Sequence, residues 1–407
     1  MSFTHDGAFK SSRQNGASIY TPSIKRQKKL NPDDMLVISN FDGGYGVEWT
    51  DGGGTGTPTD VTENMIYSDA GIRVPSAVGG TGKSIEKALS PTIDVTQYPN
   101  FSLSYYANGL TDSNLAGLHI WFWQGSNYQI KKMFRHASRN VDGNVRVTGN
   151  IYSNIPIIQS ATPPDFTLID KIEISVIAST GESFNVDFDN LHFWKDQDAK
   201  GNVIIHFDDQ REEVYTNAMP FFDKYGFVGE VAVNASRVGQ TGYMTLDQLL
   251  TLQDKGWSII SHCYEHLDLT TLSEGGVRFQ IEENIKYMKQ NGLLGTDILA
   301  LPFNSINASV KAICKEYHNY CRTSLSFDGR METFPFGDDY NIHARVLGAT
   351  TSLATATALV DVTETAKGTT IFYEHDPTTF DFDGFMSYLN GKKSTLNVTT
   401  LTDYINF

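Results

Sequence analysis

Cysteine is scarce. The chain of 407 residues holds three, Cys263, Cys314 and Cys321, all in its C-terminal half. An odd, low count supplies no disulfide framework, so reduced and buried thiols are expected. Long apolar runs are missing too: none reaches the ~18 residues that cross a bilayer, which argues against membrane insertion. Basic charge is in short supply, with 32 Lys and Arg against 47 Asp and Glu and a net charge of −15. That balance disfavours nucleic acid and anionic membrane as partners, because both reward a basic surface. It fits neutral or cationic glycans better than strongly anionic ones. The opening MSFTHDGAFKSSRQNG carries charge with no apolar core after it, which is not the pattern of a secretory signal.

What is present points to two folded parts behind a polar arm. A length of 407 exceeds what one core normally organises. Residues 1–34 are polar, include a KRQKK run and lack periodic apolar residues, so they read as an arm or linker. From 35 to 198 the signals are all β: MLVISNF, FSLSYYANGL, LHIWFWQ, KIEISVIAS and SFNVDFDNLHFW are short runs separated by turn residues. Regular short strands predict a sandwich. Trp49, Trp121, Trp123 and Trp194 lie in this stretch. Tryptophan stacks on sugar rings and also fills sandwich cores, and core packing is the default expectation. The turn-rich KDQDAKGN, Lys195 to Asn202, closes this part.

The C-terminal part, 199–407, carries the chemistry. Apolar runs end in VIIHFDDQ and, fifty residues later, in WSIISHCYEH. Both read as buried parallel strands, at whose carboxyl ends ligands gather. His262 and His266 are four apart and would share one face if the chain turns helical after its strand, a spacing suited to a metal. Asp209 could add an oxygen ligand and leave a position open for water.

The flanks of these motifs resemble a known family. FDDQREEVYTNAMPFFDKYGFVGEVAVN is similar to the first motif of the polysaccharide deacetylases, the NodB-homology domain of carbohydrate esterase family 4. YMTLDQLLTLQDKGWSIISHCYEHLDLTTLS resembles their second motif, LALPFNSIN stands where they have a third, and IFYEHDP resembles the late strand that delivers a histidine. The resemblance implies an α/β fold: a distorted (β/α) barrel preceded by an all-β, jelly-roll-like sandwich. It implies Asp208 as general base, Asp209, His262 and His266 as metal ligands, and His375 as general acid. The Pro302–Phe303 turn would supply a backbone N–H for the oxyanion. The metal would be zinc first, with cobalt, nickel, manganese or iron acceptable to such a site.

Two departures stand out. Where most members carry an arginine that holds the base, this chain has Ala300, and Asn304 replaces a glycine. Deacetylases of biofilm poly-N-acetylglucosamine resemble this version and carry a late arginine, which points to Arg345 as the partner of Asp208. Gln210 and His206 also depart from the pattern. In the β-rich part, FNVDFDNLHFW resembles the last strand of carbohydrate-binding modules that hold structural calcium, for which Asp42, Asp187 and Asp189 could supply oxygens. The implied activity is removal of acetyl groups, most plausibly N-acetyl from hexosamine units, from a capsule, exopolysaccharide or cell-wall glycan. An extracellular or virion-associated setting is expected: either a phage tail enzyme attached through the arm or a secreted bacterial enzyme, with the arm otherwise a solvated tail. The alternative is a glycan-binding adhesion protein that keeps the fold without catalysis.

Overall fold

The computed structural model describes residues 32–406, apart from 64, 66–68, 76–81, 108–114, 133–142, 153–157, 179–184, 197, 199, 325–330, 334–335 and 349–350. The arm expected over 1–34 therefore lies almost wholly outside the described residues. The chain divides into two compact units, one of 30–198 with 326–338 and one of 199–325 with 339–407.

The first unit is all β. Two antiparallel six-stranded sheets share one core, because alternating residues of each sheet are apolar. Asn185–Trp194 runs through the first sheet, pairing with Met35–Ser39, Gly71–Pro75 and Asn100–Ala107. Ile169–Ala178 runs through the second, between Lys83–Ile93 and Leu115–Gln124. Trp49 and Trp194 are fully buried, and Trp49 stacks on Phe41. Trp121 and Trp123 depart from the expected core packing. They stand half-buried on the face opposite the buried Phe122, stacked on each other with ring centres 5.8 Å apart.

The calcium assignment is not supported in this unit. Arg73 grips Asp187 with both oxygens at 2.7 and 2.8 Å, so that carboxylate is already neutralised. Asp42 accepts from Asn40 and from the backbone N–H groups of Asp69 and Ala70. Among the described residues, Asp42, Asp187 and Asp189 do not form a metal-ligating group.

The second unit alternates strand and helix. Seven parallel strands close a ring: Gly201–Phe207, Glu230–Val233, Ser258–Ser261, Gly295–Ala300, Tyr320–Ser324, Ile342–Val346 and Thr369–Glu374, the last returning to the first. An eighth, Leu396–Thr399, pairs with the start of the first. Every residue of Gly201–Phe207 is buried, as a strand enclosed on both faces requires. Val203, Ile205 and Phe207 pack outward against Phe222, Trp257 and Phe382 of the surrounding layer. The alternate residues therefore face the interior, including His206.

Helix starts were written locally. Thr245 and Gln248 form a reciprocal capping box at the head of Leu246–Asp254. Ser273 caps Glu274–Gln290 and Asn307 caps Ala308–Tyr317. Inside the barrel His206 Nε2 lies 2.6 Å from Glu230, both fully buried. The hydroxyl and N–H of Thr402 also donate to Glu230, tying the last helix, Leu401–Asn406, to the barrel. Burial pushes the Glu230 carboxyl up, but His206 and Thr402 hold it below its ordinary value.

Candidate metal centre and active site

The first barrel strand ends at Phe207, and the chain turns sharply just after Asp208. Asp209 has φ +67° and Gln210 φ +39°, a left-handed backbone unusual for residues with a Cβ. The same feature recurs at Cys263, His266, Phe303 and Asn304. Six such residues on three strand-end loops mark a site whose geometry is imposed by its surroundings. Gln210 donates from its amide nitrogen to the Asn234 carbonyl at 2.8 Å and accepts the Asn234 N–H at 2.9 Å. Asn234 in turn donates to the carbonyls of His262 and Cys263. One buried Gln–Asn latch thus ties together the loops at Gln210, Asn234 and His262–Cys263. The departure at Gln210 is explained by it.

His262 and His266 come together without a helix. The chain from His262 to Asp268 is a loop, followed by a single 3-10 turn at Leu269–Thr271, and α-helix begins only at Glu274, so the helical route expected for this pair is corrected. The left-handed turns at Cys263 and His266 bring the rings to 4.9 Å, while Tyr264 and Glu265 are tied by their N–H groups to Gln280. Cys263 points into an apolar cluster with Leu269 and Ile281, and all three cysteines are free and buried.

Asp209, His262 and His266 offer ligand atoms that lie within 4.8 Å of one another. His262 donates from Nδ1 to the Ala300 carbonyl at 2.7 Å, which turns Nε2 toward the group. That Nε2 is buried and has no protein partner. An orphaned imidazole nitrogen facing a carboxylate and a second histidine fits a divalent cation, with zinc matching the donor set. Burial pushes His262 down to about 4 and also lowers His266, favouring the neutral rings that ligation needs.

Asp208, beside this trio, is 2% exposed and ion-paired with Arg322, itself fully buried. Burial alone would raise the Asp208 carboxyl; Arg322, with His262 and His375 nearby, outweighs it and holds the group well below the usual carboxylate range. The guanidinium on Asp208 therefore belongs to Arg322, where the sequence reading had placed Arg345. The physical reason is lateral. Arg322 is the Cα partner of Ala300 on the adjacent parallel strand, so an arginine from the next strand reaches the same level. Arg322 also donates to Asn304 at 2.9 Å, which accounts for asparagine in place of the family's glycine. Arg345 sits half-buried on Ile342–Val346.

The remaining predicted residues are placed as follows. His375 follows Thr369–Glu374, and its N–H is held by the Glu374 carboxylate at 2.8 Å. Pro302 has no N–H, and that of Asn304 bonds to the Leu301 carbonyl, so Phe303 is the donor the turn can offer. The Phe303 ring is exposed and lies 4.6 Å from the His266 ring. Sequence reasoning missed Arg322 and Arg237. Arg237 donates to Asp209 at 3.0 Å. An arginine inside the buried run YCRTS was the available signal for the first; nothing in the sequence marked the second.

Residues 195–320 match the family model described as Polysaccharide deacetylase. A Bacillus subtilis protein named as a polysaccharide deacetylase, YxkH, is 27% identical over 105 residues, 26% of this chain and 38% of that protein. An Arthroderma benhamiae protein named as a peptidoglycan-N-acetylglucosamine deacetylase is 35% identical over 80 residues, 19% of this chain and 18% of that protein. The chain thus matches well under half the length of either relative. Among solved structures, a family 4 acetyl xylan esterase from Clostridium thermocellum, with a cobalt ion, superposes with TM-score 0.38 and 15% identity over 50% of this chain and 90% of that one. The closed parallel barrel with its outer helices carries, over 195–320, a stretch similar to the polysaccharide deacetylases, with the paired aspartates directly after its first strand.

Proposed function

We propose that this chain is a metal-dependent deacetylase that removes acetyl groups from a polysaccharide, with N-acetyl on hexosamine units as the favoured target. One observation carries the reading: the buried, unpartnered Nε2 of His262 converges with Asp209 and His266 beside an ionised Asp208. A divalent ion held by those three residues would supply Lewis acidity toward the acetyl carbonyl and acidify water. Asp208, kept anionic by Arg322, takes the proton from the attacking water. The oxyanion is assigned to the Pro302–Phe303 turn. His375 protonates the departing amine or alcohol. Arg322 touches neither water nor substrate in this scheme; it positions Asp208 and keeps it charged.

The main support for an inactive, glycan-binding reading was the missing motif arginine. Arg322 supplies that guanidinium from the neighbouring strand, which removes the support. We place the enzyme outside the cell or on a virion, acting on capsule, exopolysaccharide or cell-wall glycan. The all-β unit is then a glycan-binding accessory and the polar arm an attachment to a phage tail. Composition and the resemblance of FNVDFDNLHFW support that setting. Acetate release from N-acetylglucosamine oligomers and from capsule preparations tests the function: release by the native protein and none by Asp208→Asn is expected, and no release from either substrate would overturn it.

A further inference from the structure

The mouth of the metal centre carries two arginines on one tyrosine. The guanidinium carbon of Arg211 lies 4.8 Å from the ring centre of Tyr243, and that of Arg237 lies 5.4 Å from the same ring. Arg211 follows directly on Asp208–Gln210, and Arg237 reaches Asp209 at 3.0 Å. All three side chains are half-buried. Among the described residues no carboxylate makes an ion pair with Arg211. The carboxylate that feels its charge, Asp376, is taken up by the N–H and hydroxyl of Thr378.

The backbone beneath is rigid. Arg211 and Tyr243 face each other in an antiparallel bridge, flanked by Glu212 N–H to Gly242 at 3.2 Å and Met244 N–H to Gln210 at 2.9 Å. Arg237 is fixed by its N–H on the Asn234 carbonyl, and Asn234 is the residue latched by Gln210. A guanidinium stacked on an aromatic ring keeps its in-plane N–H donors pointing outward, the arrangement that recognises carboxylate or phosphate with two parallel hydrogen bonds. Whole-chain charge suggested a neutral or cationic glycan; here two guanidinium groups instead share one aromatic ring.

We propose that Arg211, Tyr243 and Arg237 form an anion subsite that binds the carboxylate or phosphate of an acidic glycan, carried by the sugar next to the acetylated one. The proposal rests on the deacetylase reading for its substrate, but its test does not need turnover. Binding is measured by calorimetry for three N-acetylhexosamine oligosaccharides of equal length: one neutral, one alternating with glucuronate and one bearing a phosphodiester. The native protein should bind an acidic oligosaccharide roughly 10- to 100-fold more tightly than the neutral one, the scale of hydrogen bonds to charged groups. Which acidic ligand wins tells carboxylate from phosphate. Arg211→Gln should bring that ligand down to the affinity of the neutral one, with Arg211→Lys retaining part of the preference. Equal binding of all three by the native protein, or a preference that survives Arg211→Gln, overturns the subsite. Acid preference without acetate release overturns the deacetylase reading and leaves the subsite standing; acetate release with equal affinities does the reverse.

Discussion

Arg322 and Ala300 are direct neighbours across adjacent parallel strands, and the arginine crosses from there to Asp208. A family-typical guanidinium has moved one strand sideways while its target has stayed in place. Arg322, ahead of His262 and His375, thereby holds the buried Asp208 carboxyl below its ordinary range, the state the proposed base role needs.

Removing Arg322 should therefore shift the pH profile. Burial pushes Asp208 up and Arg322 holds it down, so Arg322→Gln leaves burial to prevail and the carboxyl titrates at higher pH. The acidic limb of kcat/KM should move upward, and the rate at pH 7 should fall by ~10²–10⁴, the scale of a lost general base. Breaking a buried pair from one side costs ~3–5 kcal/mol, so Arg322→Lys, which keeps the charge, is the companion variant. Arg345→Gln should leave the limb in place. A shifted limb in Arg345→Gln with an unshifted one in the Arg322 variants would restore Arg345 as the partner.

Much of the centre was legible because its residues follow buried strands in short motifs: Asp208 and Asp209 after VIIHF, His262 and His266 after WSIIS. The barrel was legible through the resemblance of the motif flanks and through the apolar runs before Asp208 and His262. Arg322 was not, because its contact depends on which strands lie side by side and in what register. The helical guess for 262–266 failed because Cys263 and His266 adopt left-handed backbone, which side-chain spacing does not report. The Arg73 partner of Asp187 was not legible, because it lies 114 residues earlier in the chain.

The Gln210–Asn234 latch makes a stability prediction. Gln210→Ala keeps the strained φ of +39° and strands the buried N–H of Asn234, whose C=O retains only the Arg237 N–H. Two lost hydrogen bonds to buried backbone should lower unfolding stability by ~2–4 kcal/mol. Denaturant titration of both proteins measures it. An unchanged midpoint would mean that the loops hold their shape without the latch.

His375 should act on the leaving group. An amine needs a proton to depart, whereas an activated phenolate leaves unprotonated. His375→Ala is expected to lose ~10²–10⁴ in rate on an N-acetyl sugar and far less on an aryl acetate. Equal losses on both substrates would assign His375 to the fold or to the metal.

Chelation followed by reconstitution, with acetate release as the readout, tests metal-dependent deacetylation most directly. The native protein stripped of metal should release no acetate from an N-acetylated oligosaccharide and should recover on adding one equivalent of zinc per chain. His266→Ala, which lacks one of the three converging ligands, should not recover at that stoichiometry. Acetate release that survives full removal of metal, or a zinc-loaded native protein that releases none, would contradict it.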